Sequence, residues 1–211
     1  MRDNFDGNPV WPEVNGTSFD QDHEGHWGWR VDAVLANIRN WMLTYPVPTV
    51  VLIHLGTNDC FQDQSVNSTV AELSQLVAAV RERAPNITIL LAKLIPAAVP
   101  LWQYASQIVS CITALNERLE GLAQQLSTSA SAVHLVDQHT GFDATYDTWD
   151  GIHPNDQGAE KMANKWCSAL EQSVSARCSN SSIQLSNAAS RLATSILFQM
   201  WMIAFIVTGL P

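Results

Sequence analysis

Three short segments carry residue types whose spacing suits acid–base chemistry. Asp150-Gly151-Ile152-His153-Pro154-Asn155 places a carboxylate three residues before an imidazole. On one loop the two meet. The carboxylate then accepts from one ring nitrogen and leaves the other as a base, the orienting logic of a nucleophile–His–Asp triad. His54-Leu55-Gly56-Thr57-Asn58-Asp59 follows an apolar run, where Gly56 permits a tight turn and Asn58 offers an amide N–H to a crevice. Asp22-His23-Glu24-Gly25-His26-Trp27-Gly28-Trp29-Arg30 sets glycines ahead of a helix start, where backbone N–H groups suit a developing anion. Each segment also has a plainer reading, because Gly, Asn, Asp and Pro dominate turns. His23 and His26 lack the H-E-x-x-H spacing of zinc hydrolases and a third ligand, so no metal is expected. No glycine-rich phosphate loop occurs, and no cofactor is expected. His54, inside an apolar run, reads as a buried and hydrogen-bonded histidine.

Elements able to hold these segments are legible as periodicities. Residues 1–30 are punctuated by Gly and Pro and read as loop. Residues 31–42 repeat apolar side chains at helical spacing. Residues 49–55 (TVVLIHL) and 87–94 read as buried strands, and 132–136 as a third. Helices are expected over 66–83, 102–126 and 155–176, the last capped by Asn155. Strands alternating with helices predict an α/β fold: a parallel sheet with helices on both faces and ligands outside the carboxyl ends of its strands. Three strands make a thin sheet.

The chain has 211 residues, enough for one domain and a tail. Its 20 acidic residues outnumber 11 Lys and Arg, giving a net charge of −9. That excludes the electrostatic footprint of a nucleic-acid binder and disfavours acidic substrates and anionic membrane surfaces. Glu117, Arg118 and Glu120 read as a solvated helix face. Of eight tryptophans, Trp27, Trp29, Trp102 and Trp149 lie in or near the three segments. Core and rim packing is favoured for them over a sugar-stacking surface.

The ends carry compartment signals. Residues 192–211 (LATSILFQMWMIAFIVTGLP) hold no charge and are about as long as a bilayer needs. Small residues (Ser179, Asn180, Ser181) and a polar spacer precede them, the layout of a GPI-attachment signal, which is favoured here over a transmembrane anchor. The division expected is therefore 1–178 as the domain, 179–191 as spacer and 192–211 as tail. Sequons at Asn15, Asn67, Asn86 and Asn180 are candidate glycosylation sites. Cys60, Cys111, Cys167 and Cys178 allow three pairings, of which Cys167–Cys178 is the easiest to picture. The first residues lack the apolar stretch of a signal peptide, in conflict with the tail. A start upstream of Met1 is the expected resolution.

Together the three segments resemble the SGNH (GDSL-like) hydrolase superfamily. Gly56-Thr57-Asn58-Asp59 matches its Gly-x-Asn-Asp block. Asp150 and His153 match its Asp-x-x-His block, and Gly28 its glycine block. The wording from His23 to Trp29 is most similar to carbohydrate esterase family three, the acetyl xylan esterase-like branch. The resemblance implies a three-layer α/β/α, flavodoxin-like fold. It also implies His153 as general base, Asp150 as its orienting partner, and Gly28 and Asn58 as oxyanion donors, each worth ~3–4 kcal/mol in the transition state. The partner implied is an ester-bearing small molecule or an acetylated polysaccharide, handled by a secreted or cell-surface monomer. The family's nucleophile lies in a Gly-Asp-Ser motif after the first strand. Neither that motif nor G-x-S-x-G occurs here, and Ser18 follows no strand. The expectation is that the N-terminal strands are missing, that a sheet edge is left open, and that the chain as written is poorly stable and inert. The alternative is a non-catalytic, glycan-binding cell-surface protein of the same fold.

Overall fold

The computed structural model describes residues 24–44, 46–98, 105–178 and 205–208. Helix α1 (Val31–Thr44) precedes strand β1 (Pro48–Ile53), the short helix α2 (Thr57–Phe61) and α3 (Val66–Arg83). Strand β2 (Thr88–Ala92), α4 (Ala105–Leu126), β3 (Val133–Val136), α5 (Asp156–Cys178) and β4 (Phe205–Thr208) follow. The predicted helices and parallel strands are present, with α3 at its expected bounds. Helix α2 is the element that the turn-like wording around Gly56 concealed.

The sheet order is β3-β2-β1-β4, with β1, β2 and β3 parallel and β4 antiparallel to β1. Both faces of β1 and β2 are buried, which explains their unbroken apolar runs. Val51, Ile53, Ile89 and Leu91 face one core with α1, α3 and α4. Val50, Leu52, Leu90 and Ala92 face a second core with Met162, Trp166 and Leu170 of α5. A sheet growing in one direction through crossovers of one hand must carry α3 and α4 on the same side. Helix α5 then closes the other side, completing three layers.

Buried polar groups lock this frame. Asn116 of α4 receives the Leu94 N–H at 2.7 Å and donates to the Leu94 carbonyl at 2.9 Å, holding the chain just past β2. Arg81 donates to the carbonyls of Leu126 and Ser131 and so ties the end of α3 to the end of α4. Gly158 is obligatory for packing: a Cβ there would stand 2.0 Å from the Asp147 carbonyl oxygen. The Glu117, Arg118 and Glu120 face is exposed, as read.

Two expectations need correction. Cys60 bonds Cys111, joining α2 to α4 across 51 residues, and Cys167 is a free thiol. Cys167 and Cys178 lie on one helix, where eleven residues at 1.5 Å each hold them about 16 Å apart. The edge of β1 expected to be open is paired with Phe205–Thr208. Those residues belong to the apolar tail; the rest of the tail and Ser179, Asn180 and Ser181 lie outside the described residues. Among the described residues no helix is long and apolar enough to cross a membrane. Asn67 and Asn86 are exposed, while Asn15 and Asn180 lie outside the described residues.

The disulfide makes a direct prediction. Alkylation without reductant should label Cys167 and spare Cys60 and Cys111. Reduction should lower stability by about 4 kcal/mol on the chain-entropy estimate for a loop of this length. Labelling of Cys60 in the unreduced protein would contradict the pairing.

Candidate active site

The carboxyl end of β1, the turn before α1 and the loop before α5 supply the site. The chain leaves β1 through His54 and Leu55 and turns at Gly56, whose φ of +125° is a conformation that L side chains rarely adopt. A Cβ at Gly56 would also stand 2.5 Å from Leu115 Cδ2, so glycine is required there for space as well as for backbone. Helix α2 begins immediately and carries Asn58 and Asp59.

This turn grips the segment before α1. Asn58 Nδ2 donates to the Trp29 carbonyl at 2.9 Å, and Gln62 Nε2 donates to the Gly28 carbonyl at 2.7 Å. Asp59, fully buried, accepts the Val31 N–H at 3.2 Å and the Thr69 hydroxyl at 3.2 Å. It thereby answers one of the orphan donors at the start of α1. Burial pushes the Asp59 carboxyl above its usual range, against the pull of those two hydrogen bonds. Gly28 sits at φ +75° in a turn closed by the Trp29 N–H on the His26 carbonyl, where a type II turn needs positive φ.

Behind that turn lies a pair that the sequence reading did not single out. His26 Nε2 is 2.8 Å from Glu24 Oε2, and both side chains are nearly buried. The His26 ring stacks on Trp29 (4.2 Å, 21°) and Trp41 (4.8 Å, 13°). Glu24, His26, Trp29, Leu55, Gly56 and Asn58 line a small, open cleft. The Glu24–His26 spacing stood in the sequence beside the Asp150–His153 spacing, and only the latter was read as a carboxylate–imidazole pair. His23 lies outside the described residues. Among the described residues no three His, Cys, Asp or Glu side chains converge as a metal site would require.

The Asp150–His153 loop is built by its own backbone. Thr148 and Pro154 form an isolated antiparallel bridge, with the Trp149 N–H on the His153 carbonyl at 3.1 Å. Gly151, at φ +89°, makes the reversal. Asp150 Oδ1 accepts the N–H groups of Ile152 and His153 at 2.9 and 2.7 Å, and Oδ2 lies 2.6 Å from His153 Nδ1. Burial raises the Asp150 carboxyl, but the hydrogen bonds from His153 and Ile152 outweigh it and hold the group below the usual carboxylate range. An ionised carboxylate only accepts, so the proton sits on Nδ1 and the lone pair of His153 on Nε2. Below, Asn155 caps α5 through the Gly158 N–H at 3.0 Å. Buried Asp147 binds Lys161 Nζ at 2.7 Å. These contacts fix the loop to α5.

The segments converge. The Trp27 indole, next to Gly28, lies 5.1 Å from the His153 imidazole at 15°. Asp150, His153, Gly28 and Asn58 are thus linked through Trp27 and through the Asn58–Trp29 hydrogen bond. His54 is buried as read, but neither ring nitrogen has a hydrogen-bond partner, contrary to expectation. Strand alternation puts it on the face of Val50 and Leu52, an apolar surrounding that lowers its pKa to about 4.

Comparison with known proteins bears on the family and the fold. The model of the GDSL-like Lipase/Acylhydrolase family matches residues 3–161. The crystal structure of a carbohydrate esterase family 3 from Talaromyces cellulolyticus is 29% identical with a TM-score of 0.69, covering 80% of this chain and 78% of that one. A Clostridium thermocellum family 3 carbohydrate esterase is 31% identical with a TM-score of 0.60, covering 74% and 73%. A multidomain esterase of Ruminococcus flavefaciens is 27% identical over 150 residues, 70% of this chain. The chain spans 55% and 19% of the lengths of the two curated relatives it matches.

His54 predicts acid sensitivity. Its folded pKa is depressed below the ordinary 6.5, so the unfolded chain binds the proton more readily. The stability it contributes is complete above pH 6.5 and is lost as pH falls toward 4, a change on the order of 3 kcal/mol. Denaturant titrations across that window should show the loss, and His54→Leu should flatten it. An unchanged slope in the variant would contradict the assignment.

Proposed function

The chain belongs to the GDSL-like lipase/acylhydrolase family, and on that premise we propose that it carries the base and oxyanion parts of a serine-type ester hydrolase. The substrate proposed is an acetylated polysaccharide. The observation that carries this reading is the 2.6 Å contact between His153 Nδ1 and Asp150 Oδ2, in a loop whose backbone holds both groups. His153 Nε2 takes the proton of an attacking serine hydroxyl. The ester carbonyl oxygen becomes an oxyanion and accepts from the Gly28 N–H and from Asn58 Nδ2. His153 then gives the proton to the sugar oxygen as its bond to the acyl carbon breaks, releasing the sugar hydroxyl, and water cleaves the acyl-serine by the same route. Asn58 donates one amide hydrogen to Trp29, which orients the second.

No serine of this sequence is assigned as the nucleophile, because no Gly-Asp-Ser occurs. By this reading the chain alone leaves esters intact. The same missing motif favours a second reading, a non-catalytic glycan-binding protein of this fold. The Cys60–Cys111 bond and the exposed sequons at Asn67 and Asn86 support a secreted or cell-surface location for either.

Hydrolysis of p-nitrophenyl acetate and of acetylated xylan tests the proposal. The chain as given should match its His153→Ala variant. A form extended in frame upstream to an encoded Gly-Asp-Ser should hydrolyse both, with loss of about 10²–10⁴-fold on His153→Ala. Activity of the given chain well above His153→Ala would show that the nucleophile lies within it. An inactive extended form would favour the glycan-binding reading.

A further inference from the structure

Trp27 and Trp149 come from different blocks, one from the turn that carries Gly28 and one from the loop that carries Asp150. Both indoles lie nearly parallel to the His153 imidazole, at 5.1 Å and 15° and at 5.6 Å and 29°. Both are more than half exposed, 51% and 56%. The fold buries indoles where it has room: Trp166 is inside the α5 core, and Trp29 and Trp41 pack on the other. Two large rings that keep about half their surface exposed beside one base mark a surface suited to a flat ligand.

The surroundings select the ligand. Residues 137–155 hold four aspartates and no Lys or Arg. Lys161 and Lys165, which reach this segment from α5, are committed to the Asp147 carboxylate and to the Asp137 and Thr140 carbonyls. Among the described residues, a uronate or phosphate meets only lysines and arginines that are already paired. A long acyl chain would need a continuous apolar wall, whereas the two indoles flank a polar pair, Asp150 and His153. A neutral pyranose suits both features, with its C–H face on an indole and its hydroxyls toward water and the carboxylate.

We infer that Trp27 and Trp149 form a stacking platform that seats a neutral sugar ring beside His153 and so determines which polysaccharide ester reaches the base. This deepens the proposed function and rests on the reading of His153 as the base of the site.

The test is an NMR titration of the full chain with an acetylated xylo-oligosaccharide and, separately, with sodium acetate. Ring signals of Trp27, Trp149 and His153 are followed. The oligosaccharide should shift both indole N–H signals and saturate. Trp27→Ala and Trp149→Ala should each weaken its binding by about tenfold or more, as loss of an aromatic anchor does. Trp27→Phe, which keeps a flat apolar face, should recover part of the loss. An acetylated oligogalacturonide should bind more weakly than the neutral sugar. Indole signals unmoved by the oligosaccharide, or alanine variants that bind as tightly as the parent, would overturn the platform. If acetate shifts His153 while the sugar leaves the indoles unmoved, the platform falls and the ester reading stands. If the sugar binds on the indoles and acetate leaves His153 unmoved, the platform stands and the ester reading falls.

Discussion

The grip of the turn after β1 on the segment before α1 is the constraint on which the site depends. Asn58 holds the Trp29 carbonyl, Gln62 the Gly28 carbonyl and Asp59 the first N–H of α1. These contacts, with the packing of Trp29 on the core, fix the glycine turn relative to the sheet. The same short stretch is pinned from behind. Gly56 lets Leu115 approach, and Cys60 is bonded to Cys111, both partners on α4. Five consecutive residues thus combine a backbone reversal, a side-chain amide, a buried carboxylate and a covalent tie. The cost of burying the Asp59 carboxyl is offset in part by hydrogen bonds from a helix start and from Thr69.

The other half of the site is anchored to the opposite layer. Helix α5 approaches the Asp147 backbone at Gly158, and Asn155 and Lys161 fasten the loop above it. That loop then reaches over the carboxyl end of the sheet until His153 lies against Trp27. The two layers therefore meet at an aromatic contact between groups that acid–base chemistry needs close together. A parallel sheet offers such a crevice at its strand ends, and here side-chain contacts tie both walls to the frame.

What was legible in the residues was local or periodic. Asp150 and His153 are three apart, and the Asx turn that joins them is a short-range event. The strands β1 and β2 were readable because both faces are buried and the apolar runs are unbroken. Asn155 was readable as a cap because capping acts over three residues. What stayed hidden joins residues far apart in the chain or depends on surroundings. Asn116 meets Leu94 across 22 residues and Cys60 meets Cys111 across 51. Cys167 and Cys178 invited pairing only while their shared helix was unknown. The lack of partners around His54 depends on which core its strand face enters. The tryptophans divided: Trp29 packs inward as expected, whereas Trp27 and Trp149 stay exposed beside His153, and Trp102 lies outside the described residues. Phe205–Thr208, in a tail suited by hydropathy to a membrane, pairs along β1, because a short apolar run serves a sheet edge equally well.

The central claim is that the glycine block and the Asp-His loop form one site with His153 oriented as a base. A nuclear Overhauser spectrum of the full chain, with histidine and tryptophan selectively labelled, tests it most directly. The account predicts cross-peaks between the Trp27 indole and His153 ring protons, with the His153 proton on Nδ1. Absence of those cross-peaks in the folded chain, or a proton on Nε2 with Nδ1 bare, would contradict it.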